Sequence, residues 1–318
     1  MPNVPIKHHY VPQFMLRNFC FKDKLLYYYD KAKNITSVKK TDEIFMTRNL
    51  YRDEINHSDN PTEIETKMSK FENEIAKLIS DKFLNDSEII ISKEEEEKLR
   101  LFISIMSLRN NRTAKQFSGN MSDAAKDFYT MFQPNGDFND LWKRNLSLIL
   151  DCRSIPAVGK HDKIDQPFKY FMLRDGFMNY EGVEADLLKE LLKNPLNMLP
   201  FMLYFVVVER RGQKDFVIGD NYPPLINGTL DSGKEQHLYT LCPISSKRMI
   251  LLVSLGAIHA PQDVKFLSDA TLKQPNFDAA DRMHISVKKV YQKEVEILNK
   301  AITDEAINGY AFIDKERI

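Results

Sequence analysis

Residues 201–208 read FMLYFVVV, a run of aromatic and β-branched side chains that is typical of a buried strand. Polar residues at 209–214 predict a turn, and the run at 215–219 predicts a second strand. The runs at 238–243 and 248–254 predict two more. Together they predict an antiparallel sheet of about four strands.

Upstream of this sheet the apolar spacing becomes helical. Asn60 suits an N-cap, Pro61 the first helical position, and Glu63 the reciprocal position of a capping box. Ser92 followed by Glu95 repeats the capping-box pattern at the start of a second helix. This second helix is apolar on two sides, so we expect it to be central and mostly buried.

The remaining elements complete a prediction of an α+β fold, helix-dominated, with a smaller antiparallel sheet. They are a β-hairpin at 24–38 with its turn at 31–34, a short strand at 48–51, a helical hairpin at 121–151, a polar loop at 152–167, a helix at 181–194, a C-terminal helix at 287–308 capped by Gly309, and a strand at 310–313. We expect one domain over residues 1–318, made of an N-terminal segment with hairpin (1–55), a helical part (60–195), a sheet-forming part (200–255) and a C-terminal helix (285–309).

Composition excludes several classes of protein. The 318 residues carry 45 basic and 45 acidic side chains, so bulk charge does not favour a protein that coats nucleic acid. No apolar run approaches the roughly 20 residues of a membrane helix, and the N-terminus lacks a signal-peptide core, which predicts a cytoplasmic protein without a membrane partner.

Cys20, Cys152 and Cys242 form no CxxC pair, which argues against a disulfide framework. P-loop, GxGxxG, HExxH and GxSxG motifs are absent, so nucleoside-triphosphate enzymes and zinc proteases are not expected.

The N-terminal segment Lys7-His8-His9-Tyr-Val-Pro-Gln13 concentrates groups that titrate or form hydrogen bonds. A neutral histidine binds a metal or accepts a proton, and a protonated one stabilises a phosphate. Adjacent histidines on an extended chain point to opposite sides, so one of His8 and His9 is expected to face a site while the other anchors the segment. The alternative is a structural pair that ties the N-terminus to the fold.

Arg109 and Arg112 continue the two apolar stripes of the second helix. A charge on a buried helix face needs a partner or a ligand, and the planar guanidinium suits phosphate or carboxylate. Glu65 and Glu72 lie two turns apart on the first helix, where metal ligation, base catalysis or pairing with the arginines are the alternatives. Pairing is the simplest of these.

Asp220 and Asn221 follow the strand at 215–219 within the segment GDNYPP. A strand that ends directly in Gly-Asp-Asn and prolines predicts a rigid turn that presents a carboxylate. Asx side chains also cap such turns by bonding their own backbone, and this structural alternative has equal standing.

The opening HHYVPQFMLRNF, from His8 to Phe19, closely resembles the signature of a family of uncharacterised, mainly bacterial proteins. That signature reads HHYVPQ, then an aromatic residue, then L-(R/K)-N-F. The resemblance covers nearly the whole chain in family order, through Ile64-Glu65 with Glu72, Leu108-Arg109 with Arg112, residues 218–223, residues 241–245 and Leu298-Asn299. Two departures occur: Gly219 replaces the usual Ser or Thr before Asp220, and Tyr222 is an extra residue before Pro223. The resemblance implies a single domain and supplies no function.

The family's recurring polar positions group residues that are far apart in sequence, as a pocket would. From this grouping we predict a phosphodiester-cleaving, nuclease-like enzyme that acts on nucleic acid or a nucleotide. Uncharacterised bacterial proteins of this size are often phage-defence effectors or toxins, so we expect one of these roles. The alternatives are a non-catalytic nucleotide- or peptide-binding module and a purely structural ion network. A divalent cation such as Mg²⁺ or Mn²⁺ is compatible with the site, and metal dependence stays open. The predicted catalytic residues are His8, His9, Asp220 and Glu65, and the predicted substrate-binding residues are Gln13, Arg109, Arg112 and Asn221.

Overall fold

The computed structural model describes residues 7–54, 57–109, 143, 146–147, 150, 204–229, 235–253 and 276–318. Its helices are α1 Gln13–Arg17, α2 Glu63–Leu78, α3 Lys93–Arg109 and α4 Gln292–Glu305, with a π-helical turn at Ile79–Phe83 after α2. Its strands are β1 Lys7–His9, β2 Leu25–Asp30, β3 Ile35–Lys40, β4 Met46–Arg48, β5 Glu88–Ser92, β6 Tyr204–Arg210, β7 Ile218–Gly219, β8 Leu225–Thr229, β9 Glu235–Pro243, β10 Arg248–Val253, β11 Asn276–Phe277, β12 Arg282–Ser286, β13 Lys288–Val290 and β14 Gly309–Phe312. The predicted elements at 121–151, 152–167 and 181–194 lie outside these residues, apart from four positions near 147.

The prediction of a helix-dominated fold was wrong. Helix and strand occupy nearly equal shares, with four helices and four sheets in the part of the chain that the structure describes. Strands β8, β12 and β13 were missed because Asn227, His284 and the Lys288-Lys289 pair interrupt their apolar pattern. Such segments become strands through pairing with a neighbour rather than through their own propensity.

The largest sheet has five strands in the order β13-β6-β10-β9-β8. Strand β10 lies at its centre and all six of its residues are buried, which explains its continuous apolar sequence. Three of the predicted strands, at 201–208, 238–243 and 248–254, are confirmed here as β6, β9 and β10 with antiparallel pairing. The edge strand β13 pairs with β6 in parallel, so the sheet is not wholly antiparallel.

A four-stranded sheet has the order β3-β2-β14-β7. The hairpin predicted at 24–38 is confirmed as β2 and β3, and Asn34 takes a positive φ of 55° in its turn. The strand predicted at 215–219 shrinks to β7 and belongs to this sheet, not to the large one. Gly309 was predicted to cap α4, but it is instead the first residue of β14. A Cβ there would meet the Tyr29 carbonyl oxygen at 2.1 Å.

The capping box predicted for α3 is confirmed. The Ser92 N–H donates to Glu95 Oε2 at 2.8 Å, and the Glu95 N–H donates to Ser92 Oγ at 3.2 Å. Every residue of the stretch from Leu101 to Arg109 is buried, as the two apolar stripes of α3 predict. Helix α2 begins at Glu63, two residues later than the start predicted at Pro61, because Pro61 and Thr62 form a turn.

The chain divides into two compact units. The first comprises Met1–His8, Thr47–Ile75 and Glu97–Met202, and the second comprises His9–Met46, Ala76–Glu96 and Leu203–Ile318. The single domain expected over 1–318 stays a prediction. The main apolar core of the second unit joins the large sheet to α4 and β14, through residues that include Val208, Phe216, Leu251, Leu298 and Phe312. No helix among the described residues is long and apolar enough to cross a membrane.

Candidate active site

The first unit brings five polar side chains together from four separate segments. We call this set the His8 cluster. His8 lies in β1, Tyr51 follows β4, Glu65 and Glu72 lie in α2, and Arg109 ends α3. His8, Tyr51 and Arg109 are almost completely buried, with exposed fractions of 1%, 0% and 2%, while the two glutamates are half-buried. Buried polar groups in such a set must satisfy one another or a ligand.

The imidazole of His8 is held in one orientation by Tyr51. The backbone N–H of Tyr51 donates a hydrogen bond to His8 Nδ1 at 2.8 Å. The two rings stack with their centroids 5.3 Å apart and an angle of 4° between their planes. Because a backbone N–H can only donate, Nδ1 is the acceptor and the neutral ring carries its proton on Nε2.

Arg109 is a buried cation with two described partners. Its Nε donates to the Tyr51 hydroxyl at 2.9 Å, and its Nη1 donates to Glu72 Oε1. Its guanidinium carbon also lies 5.2 Å from the centre of the Tyr51 ring. Burial alone lowers the pKa of Arg109, but the neighbouring Tyr51 and Glu72 more than offset this and raise it. Arg109 is therefore a fixed positive charge inside the unit.

Glu65 is the carboxyl group of the cluster whose pKa is raised. Burial raises the pKa of Glu65 above its ordinary value, His8 and Arg109 oppose this rise, and Glu72 adds to it. No hydrogen bond from a described residue contributes to this pKa. Spacing on α2 explains the position, since residues seven apart lie two turns apart on one helix face and bring Glu65 and Glu72 to the same neighbours.

His9 and Gln13 belong to the second unit. Gln13 Nε2 lies 3.4 Å from His9 Nε2 and 3.5 Å from His9 Nδ1, and Arg17 donates to Gln13 Oε1 at 3.4 Å. Within β1, Lys7 is exposed, His8 buried and His9 half-buried, as alternation along a strand requires. The structure thus separates the two histidines, and His8 is the one that joins the cluster.

Asp220 and Asn221 also belong to the second unit, where they serve the turn after α4. The fully buried Asp220 carboxylate accepts hydrogen bonds from the Ile307 N–H at 2.7 Å, the Asn308 N–H at 2.8 Å and the Asn308 side-chain amide at 2.6 Å. Asn221 Nδ2 donates to Glu305 Oε2 at 3.5 Å. The structural alternative expected Asp220 to bond its own backbone, whereas its carboxylate instead satisfies the backbone donors of a turn that is distant in sequence. Arg112 lies outside the described residues.

Comparison with protein-family models identifies the family of this chain. The family model described as Protein of unknown function (DUF4238) matches residues 7–314. The chain belongs to the DUF4238 family. No curated protein and no solved structure matches it. For this DUF4238 member, the function must therefore be argued from the chemistry of its own residues.

The described residues of this DUF4238 member contain no group of three or more His, Cys, Asp or Glu side chains arranged to hold a metal ion. Among them, Cys242 is buried and Cys20 is partly exposed, and both thiols are free. Burial raises the pKa of both thiols, which disfavours the thiolate that would bind a metal.

The pairing predicted between the α2 glutamates and the arginines is confirmed for Glu72 and Arg109. Tyr51 was missed as a site residue, and the segment 48–51 was predicted only as a short strand, whereas the strand β4 ends at Arg48. The one sequence feature that indicated Tyr51 was its position as an aromatic residue within a polar stretch before α2. The backbone N–H and the hydroxyl of Tyr51 connect His8 to Arg109. These two residues are about a hundred positions apart, so no local pattern reveals the connection.

Proposed function

We propose that this chain is a phosphodiester-cleaving, nuclease-like enzyme whose reacting group is Glu65. The observation that carries the proposal is a partly exposed carboxyl with a raised pKa beside a buried imidazole and a buried guanidinium. A carboxyl group whose pKa is shifted by burial beside specific charges is typical of general acids and bases.

In this mechanism Glu65 accepts the proton of the attacking water and, once protonated, returns it to the leaving oxygen. His8 lies beside Glu65, and the hydrogen bond from the Tyr51 N–H fixes the orientation of its ring. Arg109 is 2% exposed, so it acts through its field and through Tyr51 and Glu72 rather than by covering a phosphate. This mechanism does not use the roles predicted for His9, Gln13, Asp220, Asn221 and Arg112.

The wider role proposed with this chemistry is a phage-defence effector or toxin that acts on nucleic acid in the bacterial cytoplasm. Its support is association with bacterial proteins of this size. A divalent ion such as Mg²⁺ or Mn²⁺ is compatible with this chemistry, but the described residues include no cluster that would hold one, so the mechanism assigns it no step.

A second candidate is a non-catalytic nucleotide- or peptide-binding module whose cluster is structural. Arg109 favours it, because this side chain is buried against Tyr51 and Glu72 as a structural ion pair would be. Asp220 favours it too, since its carboxylate accepts three hydrogen bonds from the 307–308 turn.

The test is cleavage of labelled single- and double-stranded RNA and DNA by the full chain, with Mg²⁺, with Mn²⁺ and with EDTA. We expect Glu65→Gln to lower kcat by about 10²–10⁴, the typical contribution of a general acid or base. Glu74→Gln is the matched control on α2, because Glu74 lies at the surface opposite Lys98, and it should leave kcat unchanged. Equal activity of both variants would remove Glu65 from the mechanism.

The pH dependence of stability provides a second readout of Glu65. Burial raises its pKa in the folded state, so the folded chain binds this proton more tightly than the unfolded chain. The parent therefore loses stability as pH rises from the ordinary carboxyl value through the raised one, while Gln does not titrate. We expect Glu65→Gln to melt at or above the parent at pH 7, with an advantage that shrinks towards pH 4. A variant that melts far below the parent, with no substrate cleaved, would favour the structural candidate.

A further inference from the structure

One face of the four-stranded sheet carries a continuous row of aromatic rings. Tyr27 and Tyr29 lie two apart on β2, so they project to the same face, and their partners on β14 are Phe312 and Tyr310. Ring centroids are 5.0 Å apart for Tyr29 and Tyr310, 5.8 Å for Tyr27 and Phe312, and 5.9 Å for Tyr310 and Phe312. Phe21 extends the row, 4.9 Å from Tyr27. We call these five rings the aromatic row.

The aromatic row has one buried ring at its middle, and its other rings are partly or largely exposed. Phe312 is buried in the core of the second unit, whereas the three tyrosines are only partly buried against that core. Phe21 is 42% exposed, and Val38, the partner of Tyr27 on β3, is 49% exposed. Strand β3 is the sheet edge among the described strands, so this apolar surface faces solvent on its β3 side.

Positive charge borders the same face. Lys40 is paired with Leu25, two residues before Tyr27, and so shares the face of the aromatic row. The Lys315 ammonium lies 5.1 Å from the centre of the Tyr27 ring. Within the described residues, no carboxylate forms an ion pair with either lysine. Residues 22–40 carry six lysines and two aspartates: Lys22, Lys24, Lys31, Lys33, Lys39, Lys40, Asp23 and Asp30.

We propose that this face binds single-stranded nucleic acid, with bases stacked on the aromatic row and phosphates beside Lys40 and Lys315. The rings stack on one another through part of their surface, and the part left exposed, largest at Phe21, can stack on bases of any sequence. Bordering lysines attract the phosphates through release of counterions. A duplex keeps its bases stacked on one another, so the face favours single strands. This site goes beyond the proposed function, because binding here requires no cleavage.

The test is fluorescence anisotropy of a labelled twelve-nucleotide oligoadenylate, as RNA and as DNA, with the full chain in EDTA. Tyr29→Leu keeps an apolar side chain but removes the ring, and we expect binding about tenfold weaker, within the usual range for loss of one stacked base. Tyr29→Phe keeps the ring and should bind as the parent does. An unlabelled duplex of the same length should compete poorly. Equal binding by Tyr29→Leu and the parent would overturn the site.

Two neighbouring lysines provide a matched control for charge. Lys40 and Lys39 are adjacent in sequence but lie on opposite faces of β3, since Lys39 pairs with the buried Leu26. Lys40→Glu should weaken binding several-fold and flatten its dependence on salt, and Lys39→Glu should do neither. Equal losses in the two variants would overturn the assignment to this face. A second result would also overturn this assignment: sedimentation that shows a dimer for the parent and monomers for Tyr29→Leu, with the same oligonucleotide affinity for both.

Failure of this site and failure of the enzyme are separable. Oligonucleotide binding that depends on Tyr29, in a chain that cleaves no substrate, would support this site and contradict the enzyme. Cleavage that depends on Glu65, with an oligonucleotide affinity indifferent to Tyr29 and Lys40, would support the enzyme and overturn this site.

Discussion

Arg109 is a charged residue that is almost completely buried in the first unit. A guanidinium that is 2% exposed has lost nearly all its water, and its contacts with Tyr51 and Glu72 compensate for that loss. The same contacts hold the Tyr51 ring against His8. Structural stability and the orientation of the candidate catalytic groups are therefore coupled at one residue.

Arg109→Ala is expected to destabilise the protein by about 3–5 kcal/mol, because it leaves the Tyr51 hydroxyl and the Glu72 carboxylate without their donor and opens a cavity. Lys98→Ala is the comparison, because it removes a cation of the same helix from a partly exposed pair with Glu74, and about 1 kcal/mol or less is expected there. Chemical denaturation of both variants measures the difference. If they are equally stable, the Arg109 pair is not a stabilising element.

At the scale of elements, β14 depends on one glycine. A Cβ at Gly309 would lie 2.1 Å from the Tyr29 carbonyl oxygen and 2.6 Å from the Tyr28 hydroxyl, distances that no real side chain shows. The first of these atoms is backbone of the neighbouring strand, so the clash cannot be relieved by rotating a side chain. The close approach of two chains, rather than a positive φ, is what requires glycine here.

We expect Gly309→Ala to displace β14 from β2 and to lower stability by about 2–3 kcal/mol. Gly219→Ala on β7 is a milder comparison, since its nearest neighbour would be the Ile302 methyl group at 3.3 Å, and a smaller loss is expected. Thermal melting of the two variants decides the order. A larger loss for Gly219→Ala would contradict this account of β14.

At the scale of the whole molecule, the last residues of the chain are bound to a segment about a hundred positions earlier. The Asp215 N–H donates to the Arg317 carbonyl at 2.6 Å, and Arg317 Nε donates to the Gln213 carbonyl at 2.8 Å. The buried Asp215 carboxylate also meets Arg210 at 2.6 Å and Arg317 at 3.1 Å, as ion pairs without hydrogen-bond geometry. Residues 314–318 are thus part of the fold of the second unit.

Burial raises the pKa of Asp215, and the positive charges of Arg210 and Arg317 limit that rise. Arg317→Ala should raise this pKa further and cost about 1 kcal/mol at pH 7, a value appropriate to a partly exposed partner. An aspartate with a raised folded pKa stabilises the fold less as pH increases above its ordinary value, so the loss should shrink towards pH 4. Melting curves at both pH values measure it. A loss that is independent of pH would assign the effect to the backbone contacts alone.

Sequence patterns located elements whose signals are local. The Ser92 and Glu95 capping box, the two apolar stripes of α3, the hairpin around Asn34 and the apolar strand β10 all follow from contacts within a few residues or from burial on all sides. The pairing of Glu72 with Arg109 was also predictable, because unexplained charges on two buried helix faces need each other.

Tertiary structure decided what depends on distant partners. Strand β7 was predicted for the large sheet but pairs with β14, and no sequence pattern within β7 names its neighbour. Polar strands such as β12 form because β5 offers them a hydrogen-bonding edge. His8 rather than His9 became a buried site residue because Tyr51 supplies its donor. Asp220 binds the turn after α4 because the Ile307 and Asn308 N–H groups need an acceptor there. Local pattern determines which segments can form helices and strands, whereas the choice of partner is made by packing and by the cost of leaving buried polar groups unsatisfied.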